Sequence, residues 1–220
     1  MARDPAMGSF RLCNNLVVER GAGYAAIARS LWGQLARGGG MPMVIRELPL
    51  VDGILSRWRD RIGADYPGYR NHVCRVVNIG FALGDWSEEQ RRRIVIAGCF
   101  HDIGIWSAGT ADYLPPSIAE AEAYLAREEL GDWAPEIALM IDLHHKITPY
   151  RGDLYPLVEI FRRADLADLS LGIAGAGLPA SFFRDLKRAF PNAGFHRRLV
   201  RLAGQWVGRH PLRWWPIFKW

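Results

Sequence analysis

Apolar residues recur at steps of three and four along most of this chain, and no stretch alternates apolar and polar residues as a half-buried strand does. Ser87 and Gln90 have the spacing of a capping box, and Ser117 is a candidate N-cap after two prolines. We therefore expect an all-α fold, a helical bundle. The periodicity predicts helices at about 49–63, 69–83, 87–101, 117–129, 134–146, 156–170, 180–190 and 194–208.

The chain divides by composition into a domain and two flanking segments. Its 220 residues, half of them hydrophobic, suit one domain with a core, which we place at 43–200. Residues 1–42 read as an N-terminal extension, because a second Met at position 7 and a glycine-rich break are typical of an added leader or an alternative start. Residues 201–220 form a basic, Trp-rich C-terminal tail.

The net charge limits the kind of ligand to expect, and the cysteine content limits the cellular compartment. The net charge of +5 favours small anionic ligands and argues against nucleic acid, because the excess is modest and concentrated late in the chain. Three cysteines without a CxxC pair predict neither a disulfide framework nor a zinc ribbon, so we expect a reducing, cytoplasmic location. Cys74 and Cys99 are expected to be small core residues.

The last residues, "HPLRWWPIFKW", combine aromatic and basic side chains. Such a segment fits an anchor on an anionic membrane or a tail folded back over the domain. Pro211 and Pro216 interrupt a continuous helix and favour the folded-back tail. Elsewhere no apolar run approaches the roughly 20 residues of a membrane span.

Several ionisable residues fall where the helical period places core residues. A buried charge is costly unless it is paired or bound to metal. A single inward histidine is more often a hydrogen-bonded core residue than a ligand, but four helices that each carry such residues favour a shared metal site. The residues concerned are His72, His101, Asp102, His144 and Asp165.

Mixed imidazole and carboxylate ligands suit a divalent transition metal, namely Mn, Zn, Fe, Co or Ni, and helix bundles build such sites from inward side chains. Four protein ligands, His72, His101, Asp102 and Asp165, would leave open positions for water and substrate. Asp168, on a neighbouring stripe of the same helix, is the rival to Asp165.

The order of these residues, with "YRNHVCRV", "GCFHDIG", "IDLHHK" and "RRADLADL" around them, resembles the HD-domain superfamily of metal-dependent phosphohydrolases. The signature of that superfamily is H…HD…D on an all-helical domain, and the resemblance covers roughly 49–172. It implies His72, His101, Asp102 and Asp165 as metal ligands. Because "RAD" matches its pattern, it favours Asp165 over Asp168, which we expect to bond within the bundle instead. It also implies hydrolysis of a phosphomonoester or phosphodiester, often of a nucleotide.

The sequence departs from two branches of that superfamily. Nucleotidase-type relatives carry an acid three residues after the motif Asp, where this chain has Ile105, although Asp112 can fill the role of their later Asp. Two-metal relatives carry a His near the start of the next helix, where Ser117 lies here. One metal is therefore favoured, and a second would need His144 or His145.

The expected mechanism is attack by a metal-activated water on the phosphorus of a small phosphorylated substrate. Asp102 or Asp112 would take the proton of the water, and His144 or His145 would protonate the leaving oxygen or bind phosphate. The candidate cations for binding phosphate are Arg70, Lys146 and Arg151. For each of them the alternative is a solvated charge on the protein surface. The rival functions are a di-iron oxygenase of the same fold and a non-catalytic metal- or ligand-binding domain.

Overall fold

The computed structural model describes residues 42–110, 112–174 and 176–209, with side chains as far as residue 204. These residues form α-helices and two short 3-10 turns, without a β-strand among them, so the predicted all-α class is confirmed. The helices are α1 Pro49–Ser56, α2 Arg59–Ile62, α3 Tyr66–Ala82, α4 Glu88–Phe100, α5 Gly104–Ser107, α6 Leu114–Arg127, α7 Ala134–Leu143, α8 Pro156–Leu169, α9 Ala180–Ala189 and α10 Phe195–Arg209.

Helix α3 lies at the centre of the bundle. It packs against α4 on one side and against α8 on another, while α7 packs against α6, α4 and α8. Most of α3 is buried, including Tyr69, Val73, Val76 and Val77, none of which is exposed to solvent. Inward side chains of α3, α4, α7 and α8 therefore meet in one shared interior.

The start of α4 is the one that the sequence predicts. The Ser87 hydroxyl oxygen accepts the backbone N–H of Gln90 at 3.2 Å, and the Gln90 side-chain oxygen accepts the backbone N–H of Ser87 at 2.9 Å. This reciprocal capping box satisfies two otherwise unpaired donors and fixes where the helix begins. The helix ends at Phe100, so the His101-Asp102 pair lies directly beyond its last turn.

Several helix boundaries differ from the prediction: the helix expected at 69–83 starts at Tyr66, and the one expected at 134–146 ends at Leu143. The helix expected at 49–63 is interrupted after Ser56, where Trp58 packs edge-on against Phe100 with ring centroids 6.3 Å apart. The helix expected to start at Ser117 starts at Leu114, because proline suits the first helical turn, where the missing N–H leaves no hydrogen bond unmade. Ser117 is thus not an N-cap.

Ser117 has a different structural role, inside α6. Its side chain is fully buried, and its hydroxyl oxygen accepts the backbone N–H of Gly104 at 2.9 Å. Helix α5, which the sequence does not predict, starts at this contact. A methyl group at Gly104 would overlap the backbone oxygen of Tyr113, so the close approach of α5 to α6 requires glycine.

Several expectations fall on the termini. The expected extension at 1–42 lies outside the described residues except for Pro42, as do Cys13 and residues 210–220 with their Trp-rich segment. The boundary expected at 200 falls inside α10, which continues to Arg209. Within the described residues, every helix is too short or too polar to cross a membrane.

The two described cysteines are core residues, as expected. Cys74 and Cys99 are both fully buried on neighbouring helices, α3 and α4. Burial raises the pKa of the Cys74 thiol to about 12 and raises the pKa of Cys99 well above its ordinary value. Both thiols are therefore protonated at neutral pH, and neither belongs to a group of described residues that could hold a metal ion.

Candidate metal centre

The structure brings the four residues of the predicted ligand set into one buried cluster. The Nε2 atoms of His72 and His101 lie 2.9 Å apart. Oδ1 of Asp165 lies 3.5 Å from Nε2 of His72 and 3.7 Å from Nε2 of His101. Oδ2 of Asp102 lies 3.8 Å and 3.4 Å from the same two atoms. None of the four side chains is more than 3% exposed.

Helical spacing explains why these side chains converge. His72 shares the buried face of α3 with Val76 and Ile79, one and two turns later. Asp165 follows the buried Phe161 by one turn of α8 and faces the same interior. Local sequence thus aims each side chain inward, and the packing of α3, α4 and α8 brings their tips together.

Hydrogen bonds at Nδ1 fix the tautomers of three histidines. Nδ1 of His72 lies 2.8 Å from Oδ2 of Asp168, which also binds Arg75 and is therefore ionised. Nδ1 of His101 lies 2.8 Å from the backbone oxygen of Gly98, and Nδ1 of His144 lies 2.7 Å from that of Ile141. Each of these oxygens only accepts, so each Nδ1 carries the hydrogen and, in the neutral ring, each Nε2 presents a lone pair to the cluster.

This arrangement fits a bound cation. Lone pairs 2.9 Å apart repel each other unless a proton or a metal ion lies near both. Oδ1 of Asp102 and Nε2 of His144, 3.5 Å apart, are buried and have no hydrogen-bond partner among the described residues. Ligands that each lie about 2.0–2.2 Å from one divalent ion are separated by roughly 3–3.5 Å, close to the spacing seen here. The cluster could therefore hold a metal ion.

A second group of metal-ligating side chains overlaps the first. It consists of Asp102, His144 and His145, whose ligand atoms lie within 4.8 Å of one another. Both histidines directly follow α7, and Nδ1 of His145 lies 3.9 Å from Oδ2 of Asp165. The two groups share Asp102. Both histidines that the sequence singled out thus lie at the cluster.

Burial and neighbouring charges set the pKa values of the histidines. Burial lowers the pKa of His101 to about 3, so its imidazole is neutral at physiological pH. Burial also lowers the pKa of His145 well below its ordinary value, and the neighbouring His144 adds to this effect. For His144 the carboxylates of Asp102 and Asp165 outweigh burial and raise the pKa, so it is the most readily protonated of the three.

The pKa values of the two carboxyl groups of the cluster, Asp165 and Asp102, shift in opposite directions. Burial raises the pKa of Asp165 to about 6, and the charges of Asp102 and Asp168 act in the same direction. Burial would also raise the pKa of Asp102, but His101 and His144 outweigh it and lower the pKa well below its ordinary value. Asp102 therefore stays ionised at acidic pH, whereas Asp165 takes up a proton as the pH falls through about 6.

A layer of contacts that the sequence did not reveal surrounds His72. Arg75 donates from Nε to Oδ1 of Asp168 at 2.6 Å and from a terminal nitrogen to the backbone oxygen of Phe190 at 3.0 Å. Phe195 stacks on the His72 ring with centroids 4.0 Å apart. Arg75 was detectable in principle, because an arginine inside the apolar run "VCRVV" needs a buried carboxylate partner.

Three predicted site residues do not line the cavity beside the cluster. The Arg70 guanidinium makes two hydrogen bonds to the carboxylate of Asp52, at 2.6 and 3.0 Å. Asp112 and Arg151 are exposed to solvent. Neither these two nor Arg70 belongs to the lining of the cavity beside the cluster.

The cavity has a volume of about 110 Å³ and opens to solvent. Its most buried lining residues are His144, His145 and Asp165, whose side chains are at most 8% exposed. Lys146, the remaining predicted phosphate-binding residue, also lines it, together with apolar side chains from the segment after α7 and from α8. The cavity is thus a path by which a small molecule can reach the cluster.

Comparisons with protein families, with curated proteins and with solved structures gave no match for this chain.

Proposed function

We propose that this chain is a metal-dependent phosphohydrolase of the HD type, which cleaves a phosphomonoester or phosphodiester of a small substrate. The observation that carries the proposal is that Nε2 of His72, Nε2 of His101 and the carboxylates of Asp102 and Asp165 meet in one buried cluster. A donor set of this kind suits Mn, Fe, Co, Ni or Zn. The order of these residues along the chain, H…HD…D, adds the resemblance to HD-type phosphohydrolases.

His72, His101, Asp102 and Asp165 would hold the ion. A divalent ion bound there supplies Lewis-acid polarisation of the phosphoryl oxygen and lowers the pKa of a nearby water molecule. In the overall reaction, water adds to phosphorus, the phosphorus–oxygen ester bond breaks, and the alcohol leaves with a proton. The protein residues then have to accept one proton and deliver another.

Position and protonation state favour particular residues for the two proton transfers. Asp102 remains ionised, and its Oδ1 has no hydrogen-bond partner among the described residues, so it is placed to accept a proton from water. His144, whose pKa is raised, is the better proton donor to the leaving oxygen. Lys146 lines the cavity and supplies a positive charge for the phosphoryl group.

Metal analysis of the purified protein, combined with hydrolysis assays on phosphomonoesters, phosphodiesters and nucleotides with and without chelator, tests this function. We expect bound transition metal, chelator-sensitive hydrolysis, and loss of both in Asp102→Ala. Asp132→Ala, which replaces an exposed aspartate on a 3-10 turn, is the matched control. Retention of metal and of full hydrolysis in Asp102→Ala would contradict the proposal, and metal without turnover would indicate a non-catalytic binding domain.

A second candidate is a di-iron oxygenase, which the overlapping group of Asp102, His144 and His145 favours. A carboxylate shared between two ligand groups is an arrangement suited to a pair of ions. Iron loading under anaerobic conditions, followed by oxygen addition, distinguishes the candidates. Two irons per chain with oxygen consumption would support the oxygenase, whereas one ion with phosphate release would support the hydrolase.

A further inference from the structure

The entrance to the cavity is bordered by apolar side chains. Ile147 lies just after the two histidines that follow α7, and Leu166 and Leu169 lie in the last turns of α8. Ile147 is 52% exposed and Leu166 is 40% exposed. A highly polar cluster is therefore reached across a rim that is largely hydrocarbon.

Single exposed apolar residues are common on protein surfaces, so exposure by itself carries no meaning. Ile147 and Leu166 are informative because they border the same cavity that His144 and Asp165 line. A molecule whose phosphoryl group reaches the cluster has to lie against them. Its remaining atoms would cover apolar surface and would find few hydrogen-bond partners there.

The size of the cavity limits what fits inside. An apolar cavity of about 150 Å³ holds one benzene molecule. The volume of about 110 Å³ here is enough for a phosphoryl group and a few carbon atoms. Any larger part of the substrate has to lie over Ile147 and Leu166 at the rim. Carbon atoms placed there would be covered by these two side chains, whereas hydroxyl groups would gain no hydrogen bond from them, which favours an apolar ester group over a sugar-like one.

We propose that Ile147, Leu166 and Leu169 form a specificity subsite for an apolar ester group, so that the substrate is a small phosphate ester of an aryl or alkyl alcohol. This inference rests on the proposed phosphohydrolase function. Lys146 and the cluster bind the charged end of the substrate, and the rim selects the uncharged end. Selection follows from the removal of apolar surface from water.

The test compares phenyl phosphate with glycerol phosphate as substrates of the metal-loaded, full-length protein. The unaltered protein is expected to have the higher kcat/KM for phenyl phosphate. Ile147→Ser and Leu166→Ser are each expected to lower that value about five- to tenfold and to change the value for glycerol phosphate less than about twofold. Ile173→Ser is the matched control, because Ile173 is 91% exposed and does not line the cavity.

Binding of non-hydrolysable phosphonates separates this inference from the proposed function. Calorimetry should show phenylphosphonate binding more tightly than methylphosphonate, with the difference reduced in Leu166→Ser. If that preference appears without any hydrolysis, the subsite stands and the hydrolase function fails. If both esters are hydrolysed with equal kcat/KM in all variants, the subsite is wrong and the function stands. If the protein shows no hydrolysis and no preference between the phosphonates, both the subsite and the hydrolase function are wrong.

Discussion

Asp168 accepts a hydrogen bond from Nδ1 of His72 at 2.8 Å, and this contact sets the orientation of a buried histidine of the cluster. The same carboxylate makes two further hydrogen bonds with Arg75. Burial would raise the pKa of Asp168, but His72 and Arg75 outweigh it and lower the pKa, so the carboxylate stays ionised. Asp168 thereby keeps Nε2 of His72 as the atom that faces the cluster.

Asp168→Asn should therefore weaken metal binding without removing any ligand. Loss of a carboxylate that orients a ligating histidine lowers metal affinity about 10–100-fold. Calorimetric titration of the metal-free protein with Mn or Zn measures the change. Asp185→Asn, on the exposed face of α9, is the control and should bind as the unaltered protein does.

The same substitution leaves the buried Arg75 without its anion, which costs about 3–5 kcal/mol of stability. The double variant Arg75→Met, Asp168→Asn removes the unpaired charge and should recover most of the free energy of unfolding. We expect its metal affinity to stay low. If metal affinity recovers together with stability, Asp168 affects metal binding only by stabilising the folded protein and not by orienting His72.

Substitution of His144 distinguishes its two candidate roles. If His144 donates a proton to the leaving oxygen, His144→Gln should retain one ion per chain while kcat falls about 100-fold or more. If His144 is a ligand of a second ion, the variant should lose one of two ions. Metal content by mass spectrometry and the pH profile of kcat separate these outcomes, and unchanged metal content with unchanged kcat would exclude both roles.

Metal affinity should fall at acidic pH because of Asp165. Its pKa in the folded protein is about 6, against an ordinary value of 3.8, so the proton must leave before the carboxylate can bind metal. Below pH 6 the apparent affinity should fall about tenfold per pH unit from this group alone. Titrations between pH 5 and pH 8 measure the slope, and a pH-independent affinity would contradict the assignment.

The same raised pKa makes a prediction about the metal-free protein. A carboxyl group whose folded pKa is raised contributes stability below its unfolded pKa, and that contribution is lost as the pH rises through about 6. Asp165→Asn should therefore stabilise the metal-free protein at pH 8, by about 1–3 kcal/mol, while it weakens metal binding. Urea unfolding at pH 4 and pH 8 tests this, because the gain should disappear at pH 4.

The contact between α5 and α6 should contribute to stability. Ser117→Ala removes the only oxygen that accepts the backbone N–H of Gly104 among the described residues, and an unpaired buried donor costs about 1–3 kcal/mol. Ser56→Ala, at an exposed position on α1, should change the free energy of unfolding by less than about 0.5 kcal/mol. Equal urea midpoints for the two variants would show that water replaces the hydroxyl.

The helices were predictable because their signals are local. The period of apolar residues and the capping residues Ser87 and Gln90 act within one or two turns, so they are readable in sequence. The inward direction of His72, His101 and Asp165 was predictable for the same reason. The break near Trp58 and the buried role of Ser117 depend on Phe100 and Gly104, which belong to other helices, and no local pattern encodes them.

Tertiary structure alone decided which charged residues belong to the cluster. Asp165 and Asp168 both lie on the buried side of α8. Because α8 packs against α3, Asp165 faces Nε2 of His72 and Asp168 faces Nδ1 of the same ring. Arg70 and Lys146 looked equivalent in sequence, until the position of α1 paired Arg70 with Asp52. By itself, the sequence determined the helices and the inward residues, since these follow from local periodicity. The partner of each inward residue depends on distances between helices, which only the folded chain sets.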